Sequence, residues 1–253
     1  MDPSHAHMPH VLVGSTPTEV ERKLALVRQL RGADLPDAEL LDNLGLFLTR
    51  QNLSRINFIQ QLYSMILPVH GVIMEFGVRW GQNLALFSTL RGMHEPFNYN
   101  RRIIGFDTFE GFPKVAFEDG PLVKAGDYSV AEGWMYELDK ILEFHNQASP
   151  IPNKKKYELV KGDATRTLPQ YLSDHPETII ALAYFDFDIY QPTKECLEAI
   201  QPFLTKGSVL AFDELNTPEF PGETIAVREV LGLSRYAIRR DPHSPLTSYL
   251  VME

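Results

Sequence analysis

Cysteine is nearly absent from this sequence: Cys196 is the single one in 253 residues. One thiol excludes an internal disulfide and a multi-cysteine zinc site, so the fold must rest on packing, and a reducing, cytoplasmic setting is expected. Cys196 itself reads as a small buried apolar residue. No apolar run reaches the ~18 residues of a membrane helix, and the first ten residues lack a basic stretch followed by an apolar one, so neither a membrane span nor a secretory leader is expected. Positive charge is also short. Lys and Arg number 24 against 33 Asp and Glu, leaving a formal charge of −9. Such a surface repels phosphate backbones and anionic headgroups, which argues against nucleic acid and membrane as main partners. Internal repeats, low-complexity tracts and a linker between two domains are missing too.

What is present is an ordinary globular composition, 44% hydrophobic, in a chain long enough for one large α/β unit with appendages. Residues 1–12 carry Pro3, His5, His7, Pro9 and His10 without periodicity and read as a mobile tail; three histidines without a scaffold do not make a metal site. Residues 13–70 are expected to form a helical extension. Thr16, Pro17 and Glu19 spell a capping box that opens a helix ending at Arg31-Gly32, and two further helices are expected over 36–50 and 54–67.

From residue 71 the pattern changes to short apolar runs alternating with helical stretches, the signature of a mostly parallel sheet with helices on both faces. Strands are expected at 72–76, 102–106, 157–160, 179–187 and 208–212. Helices are expected at 82–90, 131–145, 165–172, 193–204 and 224–231, and a closing strand pair at 236–239 and 247–252.

In such a sheet ligands bind beyond the carboxyl ends of the strands. The first strand ends Glu75-Phe76 and is followed by Gly77 and Gly81, while Asp107 follows the second strand and Asp163 the third. Spaced glycines let the backbone approach a ligand, an acid at the second tip suits two ribose hydroxyls, and an acid at the third suits an adenine amino group. A dinucleotide site would want G-x-G-x-x-G and a helix amino terminus clear of negative charge. Here Glu75 stands beside the turn, which disfavours pyrophosphate and favours the cationic end of S-adenosyl-L-methionine. Asp186, Asp213 and Glu214 end the fourth and fifth strands, a crowd of carboxylates that calls for Mg²⁺ or Ca²⁺ or for shared protons. Asp188 is expected to turn away from Asp186 by strand alternation.

The combined motifs, Glu75-Phe76-Gly77-Val78 with Gly81, Gly105-Phe106-Asp107-Thr108-Phe109-Glu110-Gly111-Phe112-Pro113, Asp186-Phe187-Asp188-Ile189-Tyr190-Gln191-Pro192-Thr193 and Asp213-Glu214, resemble the macrocin O-methyltransferase family. The resemblance runs from about Gly71 to Asn216. It implies a Rossmann-like class I methyltransferase domain over 71–253 with a seven-stranded sheet, and methyl transfer from S-adenosyl-L-methionine to a deoxysugar hydroxyl in antibiotic biosynthesis. The sugar would be nucleotide-linked, TDP-rhamnose for example, or already on an antibiotic. It further implies that Glu75, Phe76, Gly77, Gly81, Asn83, Asp107, Thr108, Phe109, Gly162, Asp163, Ala164 and Asp186 bind the cofactor, and that Asp186, Asp213 and Glu214 bind the metal. Glu214 departs from the family's usual aspartate, and Phe187 and Pro192 from its glycine and serine.

Methyl transfer needs an aligned hydroxyl and a proton acceptor, for which Asp186 and His243 are the candidates. Residues 112–134 form either a lid or a structurally packed excursion. A homo-oligomer is expected. A catechol-type O-methyltransferase and a non-catalytic cofactor-binding scaffold are the other readings of the same residues.

Overall fold

A computed structural model describes residues 16–253; the expected tail and its histidines lie outside the described residues. The chain divides into two compact units, up to Arg55 and from Ile56 onward. In the first, helix α1 (Pro17–Arg31) opens on the expected capping box: the Thr16 hydroxyl accepts from the Glu19 amide, and the Glu19 carboxylate accepts from the Thr16 amide at 2.8 Å. The helix expected over 36–50 is instead a one-turn α2 (Asp37–Leu40) and a 3₁₀ turn (Leu44–Phe47). Thr49, whose hydroxyl accepts from the Asn52 amide, then starts α3 (Arg50–Ile66) four residues earlier than its apolar stripe suggested. Capping chemistry, not hydrophobic period, sets that boundary.

The larger unit contains the end of α3, with Phe58, Ile59, Leu62, Tyr63 and Ile66 buried. It continues as β1 (Val72–Phe76), α4 (Gln82–His94), β2 (Ile103–Asp107), α5 (Trp134–Gln147), β3 (Tyr157–Lys161), α6 (Ala164–Asp174), β4 (Ile180–Phe185), α7 (Tyr190–Ile200), β5 (Leu204–Phe212), α8 (Pro221–Val230), β6 (Arg239–Arg240) and β7 (Ser248–Val251). The seven strands lie in the order β3-β2-β1-β4-β5-β7-β6. Helical crossovers make the first five parallel, whereas β7 runs antiparallel to both neighbours, so the sheet is mixed. One apolar core packs α3, α4 and α5 on one face, and a second packs α6, α7 and α8 on the other. No helix among the described residues is long and apolar enough to cross a membrane.

Register brings the strand tips to one level. Phe76 pairs with Phe106 and Phe185, and Phe185 with Phe212. Their rings stack in a row across β2, β1, β4 and β5, with centroids 5.3, 4.7 and 5.4 Å apart. All four side chains are fully buried. The residues one step beyond this aromatic floor are Asp107, Gly77, Asp186 and Asp213.

Candidate functional site

Gly77 and Gly81 owe their identity first to crowding. Gly77 has φ +93°, and a Cβ there would lie 2.0 Å from the Asp186 carbonyl oxygen; Gly81 has φ +81°, and a Cβ would meet Leu138 at 2.3 Å. Any side chain would therefore push the β1 turn away from the β4 tip or from α5. Beside that turn Glu75 is buried, and its carboxylate accepts from the Asn83 side-chain amide at 2.9 Å. The Asp107 carboxylate ties two turns together. It accepts from the amides of Val78 and Arg79 at 2.7 and 2.8 Å and from that of Phe109. Phe109 adopts φ +57° and is itself buried. Thr108 closes the same turn by donating to the Gly111 carbonyl.

At the third tip Asp163 caps α6, accepting from the Thr165 amide and hydroxyl at 3.0 and 2.7 Å, after Gly162 at φ +137° and before the buried Ala164. Glu75, Phe76, Gly77, Gly81, Asn83, Asp107, Thr108, Phe109, Gly162, Asp163 and Ala164 thus border the β1, β2 and β3 tips. The donor set suits S-adenosylmethionine: a buried carboxylate for a cation, a glycine turn, and acids at the next two tips.

The β4 and β5 tips carry the remaining acids. Asp213 accepts from the Tyr184 hydroxyl at 2.6 Å, and the Glu214 amide donates to Glu223. Among the described residues no group of three or more His, Cys, Asp or Glu side chains is arranged to hold a metal ion. Asp186, Asp213 and Glu214, the residues expected to hold Mg²⁺ or Ca²⁺, follow the ends of β4 and β5. Their chemistry, oxygen only and crowded with negative charge, does suit a hard cation.

Asp188 does not turn outward. It takes φ +60° just past the strand, where alternation no longer applies, and is buried within the field of its acidic neighbours. Sequence reasoning missed Glu223, on the first turn of α8. Burial pushes this fully enclosed carboxyl well above the usual range, and the charges of Asp188, Asp213 and Asp186 reinforce the shift. One of its oxygens, Oε1, is buried with no hydrogen-bond partner. An acid in the first turn of a helix ordinarily faces solvent, so no pattern marked it.

Residues 112–134 are fastened to this region. Asp119 is fully buried and accepts from the Tyr190 amide at the start of α7 and from the Ala116 amide, both at 2.6 Å. Tyr128 takes φ +64°, and the Arg79 guanidinium lies 4.8 Å from its ring centroid. Burial raises the Tyr128 hydroxyl's pKa, and the charges of Asp188, Glu214 and Asp186 add to the shift. His243 lies on an exposed turn before β7, its backbone amide donating to Asp241; no described contact joins its ring to Asp186.

The chain is similar over its whole length to the crystal structure of CalS11, calicheamicin methyltransferase: 44% identical, 99% of each chain covered, TM-score 0.91. The chain belongs to the antibiotic-sugar O-methyltransferases. The motif likeness to the macrocin enzymes and the class I methyltransferase fold, with its mixed seven-stranded sheet, agree with that membership. This methyltransferase is also 26% identical over 179 residues to the 8-demethyl-8-(2,3-dimethoxy-alpha-L-rhamnosyl)-tetracenomycin-C 4′-O-methyltransferase of Streptomyces olivaceus, a match covering 66% of this chain and 62% of that enzyme. Against the mycinamicin III 3″-O-methyltransferase of Micromonospora griseorubida the figures are 24% identity, 76% of this chain and 75% of that one. No family model matches the chain.

Proposed function

We propose that this chain transfers the methyl group of S-adenosyl-L-methionine to a hydroxyl of a nucleotide-linked deoxysugar, as a cytoplasmic homo-oligomer in antibiotic biosynthesis. The observation that carries the reading is the whole-length likeness to CalS11, which one of its structures describes as a TDP-rhamnose 3′-O-methyltransferase.

Glu75, held by Asn83, would favour the cofactor's ammonium group, Asp107 its ribose, and the Gly162-Asp163-Ala164 turn its adenine. When bound, S-adenosylmethionine supplies an electrophilic methyl on sulfur. The chain's own work is to orient the sugar hydroxyl and take its proton. Asp186 is the proton acceptor in this proposal, because it follows the aromatic floor directly and packs beside the Gly77 turn; His243, exposed on its turn, is the other candidate. Tyr128 and the fastened 112–134 segment would exclude water from the carboxylates. A divalent ion such as Mg²⁺ or Ca²⁺, held by Asp186, Asp213 and Glu214, would supply charge neutralisation and Lewis-acid polarisation.

The test is mass spectrometry of a panel of nucleotide sugars, glycosylated aglycones and aromatic diols, each incubated with S-adenosylmethionine, with added Mg²⁺ or with chelator. A product heavier by one CH₂ from TDP-rhamnose, dependent on the ion, is the expected result. Methylation of diols alone would overturn the sugar reading, and full turnover in chelator would remove the ion from it.

A further inference from the structure

We propose that Arg79 is the oxyanion receptor of the acceptor, taking the diphosphate of a nucleotide-linked sugar; this rests on the methyl-transfer reading above. The strand tips are crowded with acids: Glu75 lies near the end of β1, Asp186, Asp188, Asp213 and Glu214 follow β4 and β5, and Glu223 joins them from α8. A substrate carrying two phosphate charges is repelled there unless a cation is built into the rim. A neutral glycoside needs none.

Arg79 is placed to be that cation. Its backbone amide is pinned to Asp107 at 2.8 Å, and its φ of +50° is a left-handed conformation that a long side chain adopts only when its surroundings impose it. This geometry lays the guanidinium over the face of Tyr128, 4.8 Å from the ring centroid. The charges of Asp188, Glu214 and Asp186 act on the Tyr128 hydroxyl, and the Arg79 charge acts on it in the opposite sense. The ring answers the guanidinium's charge but not its N–H donors, and Nε is buried with no hydrogen-bond partner. Arg101 shows the alternative in the same chain: its guanidinium is spent on Glu95 and three backbone carbonyls. A planar guanidinium fork matches the paired oxygens of a phosphate.

The experiment compares wild type, Arg79→Gln and Arg79→Lys with TDP-rhamnose as acceptor, alongside calorimetric binding of S-adenosylhomocysteine. Arg79→Gln is expected to raise the KM for the nucleotide sugar about 10- to 100-fold, the worth of one or two hydrogen bonds to a charged group. Arg79→Lys should recover part of that loss, and S-adenosylhomocysteine should bind within about twofold of wild type. Added salt should raise KM more steeply in wild type than in Arg79→Gln. Weakened S-adenosylhomocysteine binding with an unchanged KM would assign Arg79 to the cofactor's carboxylate and overturn the proposal. Unchanged KM and binding would reduce Arg79 to a packing contact with Tyr128 and overturn it equally. If Arg79→Gln does not fold, the salt dependence and KM of Arg79→Lys decide. Failure of the wild type itself to methylate any nucleotide sugar is a different result, and refutes the function on which the inference stands.

Discussion

The two edges of one sheet handle buried charge in opposite ways. Before the strands begin, Arg101 is 2% exposed and fully matched: Nε donates to Glu95 at 2.9 Å, and the two terminal nitrogens donate to the carbonyls of Gly71, Ile66 and Val69. Burial pushes the Glu95 carboxyl up, but hydrogen bonds from Arg101, Tyr63 and Asn98 outweigh it and hold it below the ordinary carboxylate range. Lys156, at the same edge, gives its ammonium to three carbonyls. Beyond the strands, Asp186, Asp188, Asp213 and Glu223 crowd like charges together, and the backbone there enters left-handed conformations at Asp188 and Asn216. Opposite charges with every donor used make a clamp that needs nothing further. Like charges in the same sheet store a demand for a proton, a cation or a ligand, which is what a reaction site requires.

The largest effect should come from the crowded edge, and it should fall on turnover alone. Asp186→Asn is expected to lower kcat by about 10²- to 10⁴-fold, the range for losing a positioned proton acceptor, without lowering Tm, since one repelling charge is gone. Product formation by mass spectrometry and a thermal melt check both halves. Retention of more than about a tenth of wild-type kcat would place the proton acceptor elsewhere, with His243 the next residue to replace.

At the opposite edge the effect should fall on stability. Arg101→Ala leaves Glu95 buried without its partner and strips three carbonyls, which costs about 3–5 kcal/mol and lowers Tm by roughly 6–20 °C for a chain of this size. The folded fraction should keep its kcat. A melt within ~2 °C of wild type would show that the clamp adds little and that the contrast between the edges is only apparent.

How much of this was legible depends on which physical rule governs each residue. The tips of the first three strands were readable because a buried parallel strand writes itself as an apolar run, and Glu75, Asp107 and Asp163 interrupt those runs at their ends. Asp188 was misread because alternation gives residues two apart the same face, not opposite ones, and because the strand stops at Phe185 before φ turns positive at Asp188. The metal set was read from adjacent strand tips, and the hydrogen bond from Tyr184, which is fully buried in the apolar core, to one oxygen of Asp213 had no signal in the sequence. Glu223, Asp119 and Tyr128 came from segments distant in sequence, and only tertiary packing could bring them to the β4 and β5 tips. Capping residues such as Thr49 were visible but outweighed by periodicity, which placed α3 too late.

The smallest and most diagnostic effect concerns Glu223. Its folded-state pKa is raised, first by burial and then by Asp188, Asp213 and Asp186, so the folded protein binds that proton more tightly than the unfolded chain does. The sign follows: this proton favours folding below the unfolded value near 4.5, and the benefit is lost as pH rises from there toward the raised folded value. Glu223→Gln keeps an acceptor for the Glu214 amide and removes the titration. Its stability should therefore be flat in this respect where wild type declines, the two separating by at most about 1.4 kcal/mol per pH unit. Paired urea melts between pH 5 and 8 measure the gap. A gap that closes when Mg²⁺ is added would mean that a cation relieves the same crowding the proton does; parallel stability profiles across this range would mean that Glu223 is not where the crowded edge keeps its excess charge.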